Sequence, residues 1–224
     1  MNAKLFFILG SIVGVLASCT QKGNGFWVDN QKVVNAPILE ADSLMRSDSL
    51  FWNTPVDRAH PRVCIHDALI REKLDSAISL CPGKQAYLLK YTYLLRSWRL
   101  KEVLALLREM DACMSDSMSA DLLSLKAMME DYGGDSLVAR KDFLRADSAY
   151  GVKVQEVVQD SLMYGFVRIE KALNLSLMKN DFRTLWEEIA FYERVNGSAI
   201  NGMEKWKTLT DKKEYYRQVF GLSE

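Results

Sequence analysis

The chain has few of the residues that most often carry catalysis or bind metals: two histidines and four cysteines in 224 residues. It contains no His-Glu-x-x-His, Cys-x-x-Cys or Gly-x-Ser-x-Gly motif and no glycine-rich nucleotide loop. The 29 basic and 29 acidic residues cancel, which removes the electrostatic attraction that drives nucleic-acid binding. We therefore expect a protein without enzymatic activity, without a cofactor or metal ion, and without a nucleic-acid partner.

A long hydrophobic run is also missing. The extended apolar stretch from Leu5 to Ala17 holds 13 residues, whereas a membrane-spanning helix needs roughly 20. Lys4 precedes the stretch and Leu16-Ala17-Ser18-Cys19 ends it. A charged start, a short apolar centre and a small-residue end are typical of an export signal rather than a membrane span.

The end of this signal resembles that of bacterial lipoproteins, in which a cysteine follows small residues. The resemblance implies that the Cys19 sulfur carries a diacylglycerol, that cleavage falls after Ser18, and that the new amine is acylated. Inner-membrane lipoproteins have aspartate directly after the lipidated cysteine. This chain has Thr20 at that position, and in this respect it resembles outer-membrane lipoproteins. We therefore expect residues 1–18 to be a signal peptide and the protein to be lipid-anchored in the outer membrane, facing the periplasm or the cell surface.

Composition bounds the remainder of the chain. With 49% hydrophobic and 26% charged residues, it is typical of an ordered globular protein. Residues 19–38 are polar, include Gly23-Asn24-Gly25 and show no sustained periodicity, so they are predicted to form a flexible tether. Helical periodicity begins at Leu39, and residues 39–224 are predicted to form one helical-repeat domain.

Four apolar triplets, spaced by four and then three residues, each predict one buried helix stripe. They are Ile70-Leu74-Ala77, Val103-Leu107-Met110, Ala139-Phe143-Ala146 and Leu185-Ile189-Tyr192. Short turns precede the last three, at residues 97–99, 133–135 and 179–181. The predicted unit is an antiparallel pair of helices, and the predicted fold class is all-α.

The pair length and the small-large-small triplet Ala139-Phe143-Ala146 resemble the tetratricopeptide repeat. The other triplets depart from that repeat by carrying larger residues at its small positions. The resemblance implies a right-handed solenoid of helix pairs with a curved groove. Apolar residues between Met203 and Phe220 predict a C-terminal helix that caps the array.

Two clusters are candidates for metal or nucleophile chemistry. His60 and His66 lie near Cys64 and Asp67, which suggests a metal cluster or a Cys-His nucleophile. The alternative, which we favour, is a loop leading into a helix. Met110, Met114 and Met118 surround Cys113, a set of soft ligands suited to Cu(I). Their alternative role is to fill a helix core, with Ser115-Asp116-Ser117 ending the helix.

Once Cys19 carries lipid, three cysteines remain, an odd number that argues against a disulfide-stapled fold. Cys64 and Cys81 flank a predicted helix that holds them too far apart to bridge. A bond between Cys81 and Cys113 stays open, beside the alternative that all three are small buried side chains.

Seven Asp-Ser pairs precede a small or medium aliphatic residue, with their serines at Ser43, Ser49, Ser76, Ser117, Ser136, Ser148 and Ser161. The motif resembles the acceptor of O-linked glycans on exported proteins of some gut Gram-negative bacteria. It implies modification at Ser43, Ser49 and Ser117, with Ser117 the most accessible in its predicted loop. The alternative is helix capping, for which Asp135 and Asp160 are well placed.

Together these features predict a lipid-anchored scaffold that binds another envelope protein or a peptide in the repeat groove. The alternative function is binding of a small ligand or glycan. A dense group of side chains would supply its stacking surface: Tyr87, Tyr91, Tyr93, Arg96 and Trp98. That alternative requires the rings to be exposed, whereas core packing between helix pairs, the interpretation we favour, would bury them.

Overall fold

The computed structural model describes residues 31–54, 56, 61–80, 82–159, 161–197 and 203–220, with the backbone alone for 31–35 and 161. These residues form ten α-helices and two 3₁₀ turns, and no strand occurs among them. The all-α prediction is therefore confirmed. The helices, α1 to α10 in chain order, are Gln31–Ser47, Ser49–Asn53, Asp67–Leu80, Lys84–Arg96, Leu100–Met114, Ala120–Tyr132, Ser136–Glu156, Ser161–Lys179, Arg183–Asn196 and Lys212–Phe220.

The described residues form two compact units, an N-terminal unit up to Met118 and a C-terminal unit from Ser119 onward. In the N-terminal unit α1 packs against α3, α3 against α4, and α4 against α5. In the C-terminal unit α6 packs against α7, α7 against α8, and α8 against α9. The predicted signal peptide and the lipid site Cys19 lie outside the described residues.

The four predicted triplets each lie on one helix, α3, α5, α7 and α9 in turn, and all twelve side chains are buried. The three predicted turns separate α4 from α5, α6 from α7 and α8 from α9. Asp135 begins α7 by accepting a hydrogen bond from the backbone N–H of Val138 at 3.3 Å, and Gly134 adopts a positive φ of 93° in the turn before it. A left-handed residue at this point suits glycine, which has no Cβ to clash.

Helix α1 starts earlier than the sequence suggested. It begins at Gln31, inside the segment predicted to be a tether, and Pro37 lies within it. Ile38 is buried against Ala77 and Ala86, so the stripe that continues to Met45 starts before Leu39. The sequence placed this boundary too late because residues before Leu39 show no sustained periodicity, and α1 continues through Pro37 although proline removes a helical hydrogen bond.

Gly165 lies inside α8, where Tyr192 of α9 packs directly against the backbone. A Cβ at position 165 would overlap the Tyr192 ring. The Tyr192 ring also packs at a tilt against Phe166, with ring centroids 5.2 Å apart. The glycine therefore permits close packing between α8 and α9.

Helix α10 confirms the predicted C-terminal helix, and its contacts reach two places in the unit. The Tyr216 hydroxyl donates to Asp131 of α6 at 2.8 Å, and the Lys212 ammonium lies 2.7 Å from the same carboxylate. The backbone N–H of Lys212 donates to Asn180 Oδ1 in the α8–α9 turn at 2.7 Å. Helix α10 therefore links the end of α6 to the α8–α9 turn.

Candidate binding groove and predicted sites

An open groove of about 520 Å³ lies between α1 and α3 in the N-terminal unit. Three leucines form its apolar part, and a serine and one acidic and one basic side chain complete it. The lining residues are Leu39, Glu40, Ser43, Leu44, Leu69 and Lys73. We call this surface the α1–α3 groove.

The groove follows from how α1 and α3 use their faces. The inward stripe of α1 includes Ala41 and Met45, which are fully buried. Leu39 points away from that stripe, because each residue turns a helix by about 100° and Leu39 is two residues before Ala41. Leu39 is 65% exposed and Leu69 41% exposed, so two leucines on facing helices remain open to solvent.

An ion pair crosses the groove between its two helices. The Lys73 ammonium lies 2.6 Å from a Glu40 carboxylate oxygen. The hydrogen bond to Glu40 and then the Glu40 charge raise the pKa of Lys73, against a smaller opposing effect of burial. Because the pair is solvent-exposed, it contributes little to stability. The Lys73 ammonium and the Glu40 carboxylate place a charged hydrogen-bond donor and a charged acceptor beside the leucines of the groove.

Two of the predicted glycan acceptors are exposed. Ser43 lines the α1–α3 groove, one residue after Asp42, whose carboxylate accepts from Arg46 at 2.8 Å. Ser49 is the first residue of α2. The preceding Asp48 caps that helix by accepting from the backbone N–H of Phe51 at 2.9 Å. This hydrogen bond, with a second from the N–H of Ile65, lowers the pKa of Asp48.

Ser117 is less accessible than predicted. It lies in the 3₁₀ turn Ser115–Ser117 and is half-buried, whereas Ser43 and Ser49 are exposed. The prediction that Ser117 is the most accessible acceptor is therefore wrong. Met118 packs into the core directly after the turn, which draws Ser117 inward. Capping by Asp135 is confirmed, and Asp160 lies outside the described residues.

The candidate Cys-His cluster is only partly visible, because His60 lies outside the described residues. Cys64 is buried, and burial raises the pKa of its thiol. Asp67 accepts from Arg99 Nη2 at 2.7 Å and from the Tyr93 hydroxyl. A buried protonated thiol is a poor nucleophile, and Asp67 is already held by an ion pair. In the described ranges no three His, Cys, Asp or Glu side chains are placed to hold a metal ion.

The methionine series does not continue along one helix. Helix α5 ends at Met114, and a 3₁₀ turn intervenes before Met118, which confirms the predicted helix end at residues 115–117. Met110 and Met118 are buried. Cys113 is exposed, so it is not the buried side chain that the sequence suggested. Cys81, its predicted partner, lies outside the described residues.

The three tyrosines of the aromatic group are buried, and Trp98 is half-buried. Tyr87, Tyr91 and Tyr93 are each at most 1% exposed, because α4 packs against both α3 and α5. The Tyr87 hydroxyl donates to Glu109 at 2.8 Å. The tyrosine rings therefore belong to the core, which confirms the favoured interpretation, and the glycan-binding alternative loses most of the surface on which it depended.

Arg96 joins distant parts of the N-terminal unit, a role that the sequence analysis missed. Its Nη2 atom donates to the backbone carbonyls of Phe51 and Trp52 at 2.6 and 2.5 Å. These carbonyls lie at the end of α2, where helical partners are lacking. The guanidinium also packs 5.1 Å from the Trp52 ring centre. Because the partners are more than 40 residues apart in the chain, no local pattern could have signalled them.

The described helices are too polar or too short to cross a bilayer. The longest, α7, has 21 residues and carries several charges, and within the described ranges no helix qualifies as a membrane span. Comparison with known protein families, with curated proteins and with solved structures finds no match to this chain.

Proposed function

We propose that this protein is a non-enzymatic scaffold of the bacterial cell envelope, anchored by a lipid on Cys19, that binds a protein or peptide through helix-pair repeats. In this proposal the pairs continue into a right-handed solenoid, and the α1–α3 groove is the binding surface. The observation that carries the proposal is the pair of exposed leucines, Leu39 and Leu69, on facing helices.

The groove suits an apolar side chain carried on a polar backbone. Leu39, Leu44 and Leu69 provide the apolar contact, and Lys73 and Glu40 lie beside them. An amphipathic helix or an extended segment presents such a combination of apolar anchors and polar groups. Groove recognition of this kind needs neither a cofactor nor a nucleophile.

The position of the groove fits an anchored protein. It is built partly from α1, which begins 12 residues after Cys19. Twelve extended residues span up to roughly 40 Å. A lipid on Cys19 would therefore keep the start of α1 within that distance of the bilayer surface, and Leu39 in the groove, about 12 Å further along the helix, within roughly 50 Å.

The exposed Asp-Ser sites support a second, separate proposal of O-glycosylation at Ser43 and Ser49, with Ser117 a weaker acceptor. Ser43 lines the groove, so a glycan there would narrow access to it. The intact mass of protein from its native host tests this. A mass equal to that of the lipidated chain alone would contradict the modification.

Photo-crosslinking in the native envelope tests the binding proposal. A photoreactive residue at position 69 should yield a discrete crosslinked partner. Position 80 is the matched control, because Leu80 is on the same helix and 64% exposed, about 16 Å further along it. The proposal requires a product from position 69 that Leu39→Glu removes. Identical products from both positions, or none from 69, would contradict it.

A further inference from the structure

We infer that the outward face of α7, in the C-terminal unit, is a second docking surface, and that its occupant is an acidic amphipathic helix of another protein. Three apolar and three basic side chains form this surface, which we call the basic α7 face. They are Leu137, Leu144, Val152, Arg140, Lys141 and Arg145. The inference goes beyond the proposed function, because it concerns a different unit and does not depend on the α1–α3 groove.

The apolar side chains of the basic α7 face form one exposed stripe. Leu137 is 80% exposed, Leu144 52% and Val152 60%. Helix α7 packs against α6 and α8 through its opposite face, where Phe143 and Ala146 are buried. Because each residue turns a helix by about 100°, Leu144 lies about 20° and Val152 about 60° from Leu137. Exposed apolar side chains that are grouped on one face, rather than scattered singly, indicate an interaction surface.

The charges on this face are all positive. Arg140 and Lys141 are exposed, and within the described part of the chain neither has a carboxylate at ion-pair distance. Arg145 is also exposed, and its Nη1 atom lies 2.9 Å from Asp142. Asp142 is buried, and Asp147 is half-buried and 3.7 Å from a lysine of α8. In a chain whose basic and acidic residues cancel, this face would attract an anionic partner.

The spacing of the apolar residues suits a helical partner. Leu137 and Leu144 are about 10 Å apart along the helix axis, and Val152 is about 12 Å further. A helix that lies along α7 presents the same face every seven residues, or about every 10 Å. An extended segment presents alternate side chains about 7 Å apart, which fits these intervals less well. The partner is therefore a helix with an apolar stripe.

A second copy of this face and a bilayer surface fit the arrangement less well. If two copies met, Arg140 and Lys141 of each would lie near the same cations of the other, and like charges across an interface repel. Helices that bind a bilayer surface have an apolar face opposite a charged one. In α7, Lys141 and Ser148 lie among the apolar residues, about 40° and 20° from Leu137. Acidic residues beside an apolar stripe complement both the charge and the spacing.

Binding of two synthetic peptides to the full-length chain tests the inference. The acidic peptide is a helix of about three heptads with leucines at positions a and d and glutamates at e and g. The basic peptide differs only by lysines at e and g. We expect the acidic peptide to bind at least about tenfold more tightly, as measured by fluorescence anisotropy, because its charges are opposite to those of the face. Equal affinities for the two peptides would overturn the inference.

Charge reversal locates the binding on α7. The double substitution Arg140→Glu and Lys141→Glu should weaken the acidic peptide about tenfold or more and strengthen the basic one. A misfolded variant would not show this reversal of preference. The matched control is Lys179→Glu with Lys213→Glu, because both lysines are exposed and lie on α8 and α10. The control should leave both affinities unchanged, and an equal effect of the two double variants would overturn the inference.

Substitutions of apolar residues separate this face from the α1–α3 groove. Leu144→Ser should weaken the acidic peptide at least about fivefold, because it removes apolar contact area. Leu69→Glu should leave that affinity unchanged. If Leu69→Glu weakens the acidic peptide as much as Leu144→Ser does, the peptide binds the groove and the inference fails, while the proposed function stands.

The other two occupants give distinct results. Anionic phosphatidylglycerol vesicles that bind the Cys19→Ala chain, but not that chain with Arg140→Glu and Lys141→Glu, would show that the face binds lipid. Self-association that Leu144→Ser abolishes, measured by analytical ultracentrifugation, would show that it binds a second copy. Either result overturns the inference.

Discussion

The ammonium of Lys126 lies 2.6 Å from a carboxylate oxygen of Asp142, and both side chains are buried between α6 and α7 in the C-terminal unit. Glu130 is 3.8 Å from the same ammonium, and Arg145 lies 2.9 Å from the other Asp142 oxygen. A buried pair of this kind contributes little over an apolar pair of equal size, but removing one partner is costly because the other charge stays buried.

Asp142→Ala should therefore destabilise the protein by about 3 kcal/mol, at the lower end for a broken buried pair because Glu130 still faces Lys126. Urea unfolding followed by circular dichroism measures this. The matched control is Asp181→Ala, which breaks the exposed pair with Arg183 and should cost much less, because water screens an exposed pair. Equal losses of unfolding free energy in the two variants would contradict the burial of the ion pair between Lys126 and Asp142.

Two glycines inside helices should respond oppositely to alanine. Gly165→Ala places a Cβ in the Tyr192 ring, and we expect a loss of about 1 to 3 kcal/mol. Gly151→Ala meets only the flexible end of Lys171, at 3.6 Å, and should gain about 0.5 to 1 kcal/mol from better helix propensity. Thermal unfolding of both variants checks this, and a stabilised Gly165→Ala would contradict the observed packing of α8 on α9.

Docking of α10 should weaken in acid. Burial raises the pKa of Asp131, but hydrogen bonds from Lys212, Tyr216 and Ser136 outweigh it, and the net pKa is below its usual 3.8. Because the pKa of Asp131 is lowered in the folded state, its ionised carboxylate stabilises the folded protein above about pH 4. That stabilisation is lost as the pH falls through the folded-state pKa. Asp131→Asn should flatten the decline of stability between pH 5 and pH 2. An unchanged dependence of stability on pH would show that ionisation of Asp131 does not affect the docking of α10.

The cysteines should differ in reactivity. Cys113 is exposed and Cys64 is buried with a raised pKa, and alkylation requires an accessible thiolate. Iodoacetamide on the native protein should label Cys113 much faster than Cys64, as measured by peptide mass spectrometry, and the two rates should converge in urea. Fast native labelling of Cys64 would contradict its burial beside α1.

Replacing the expected lipid site separates anchoring from folding. Cys19→Ala should release the protein from the membrane fraction, because a lipid there would provide its membrane affinity. The far-ultraviolet circular dichroism spectrum of the helical domain should stay the same. A variant that remains in the membrane fraction would show that the anchor lies elsewhere.

Sequence reasoning located helices better than surfaces. The triplets such as Ile70-Leu74-Ala77 were predictable because a helix repeats its buried face every three or four residues. The α1–α3 groove could not be predicted in this way. Leu39 and Leu69 each lie at an ordinary position of a helical pattern, and their exposure depends on how the two helices pack. The sequence did favour a core position for Tyr87 and its neighbours, but it could not show that α3 and α5 are the helices that cover them.

The most direct test uses the partner identified by crosslinking. It compares the affinity of that partner for two full-length variants, each with one substitution in the N-terminal unit. Leu69→Glu should weaken binding about tenfold or more, because it places a charge in the apolar part of the groove. Leu80→Glu, on the same helix outside the groove, should leave the affinity unchanged. Equal affinities for the two variants would contradict the claim that the α1–α3 groove is where this protein binds.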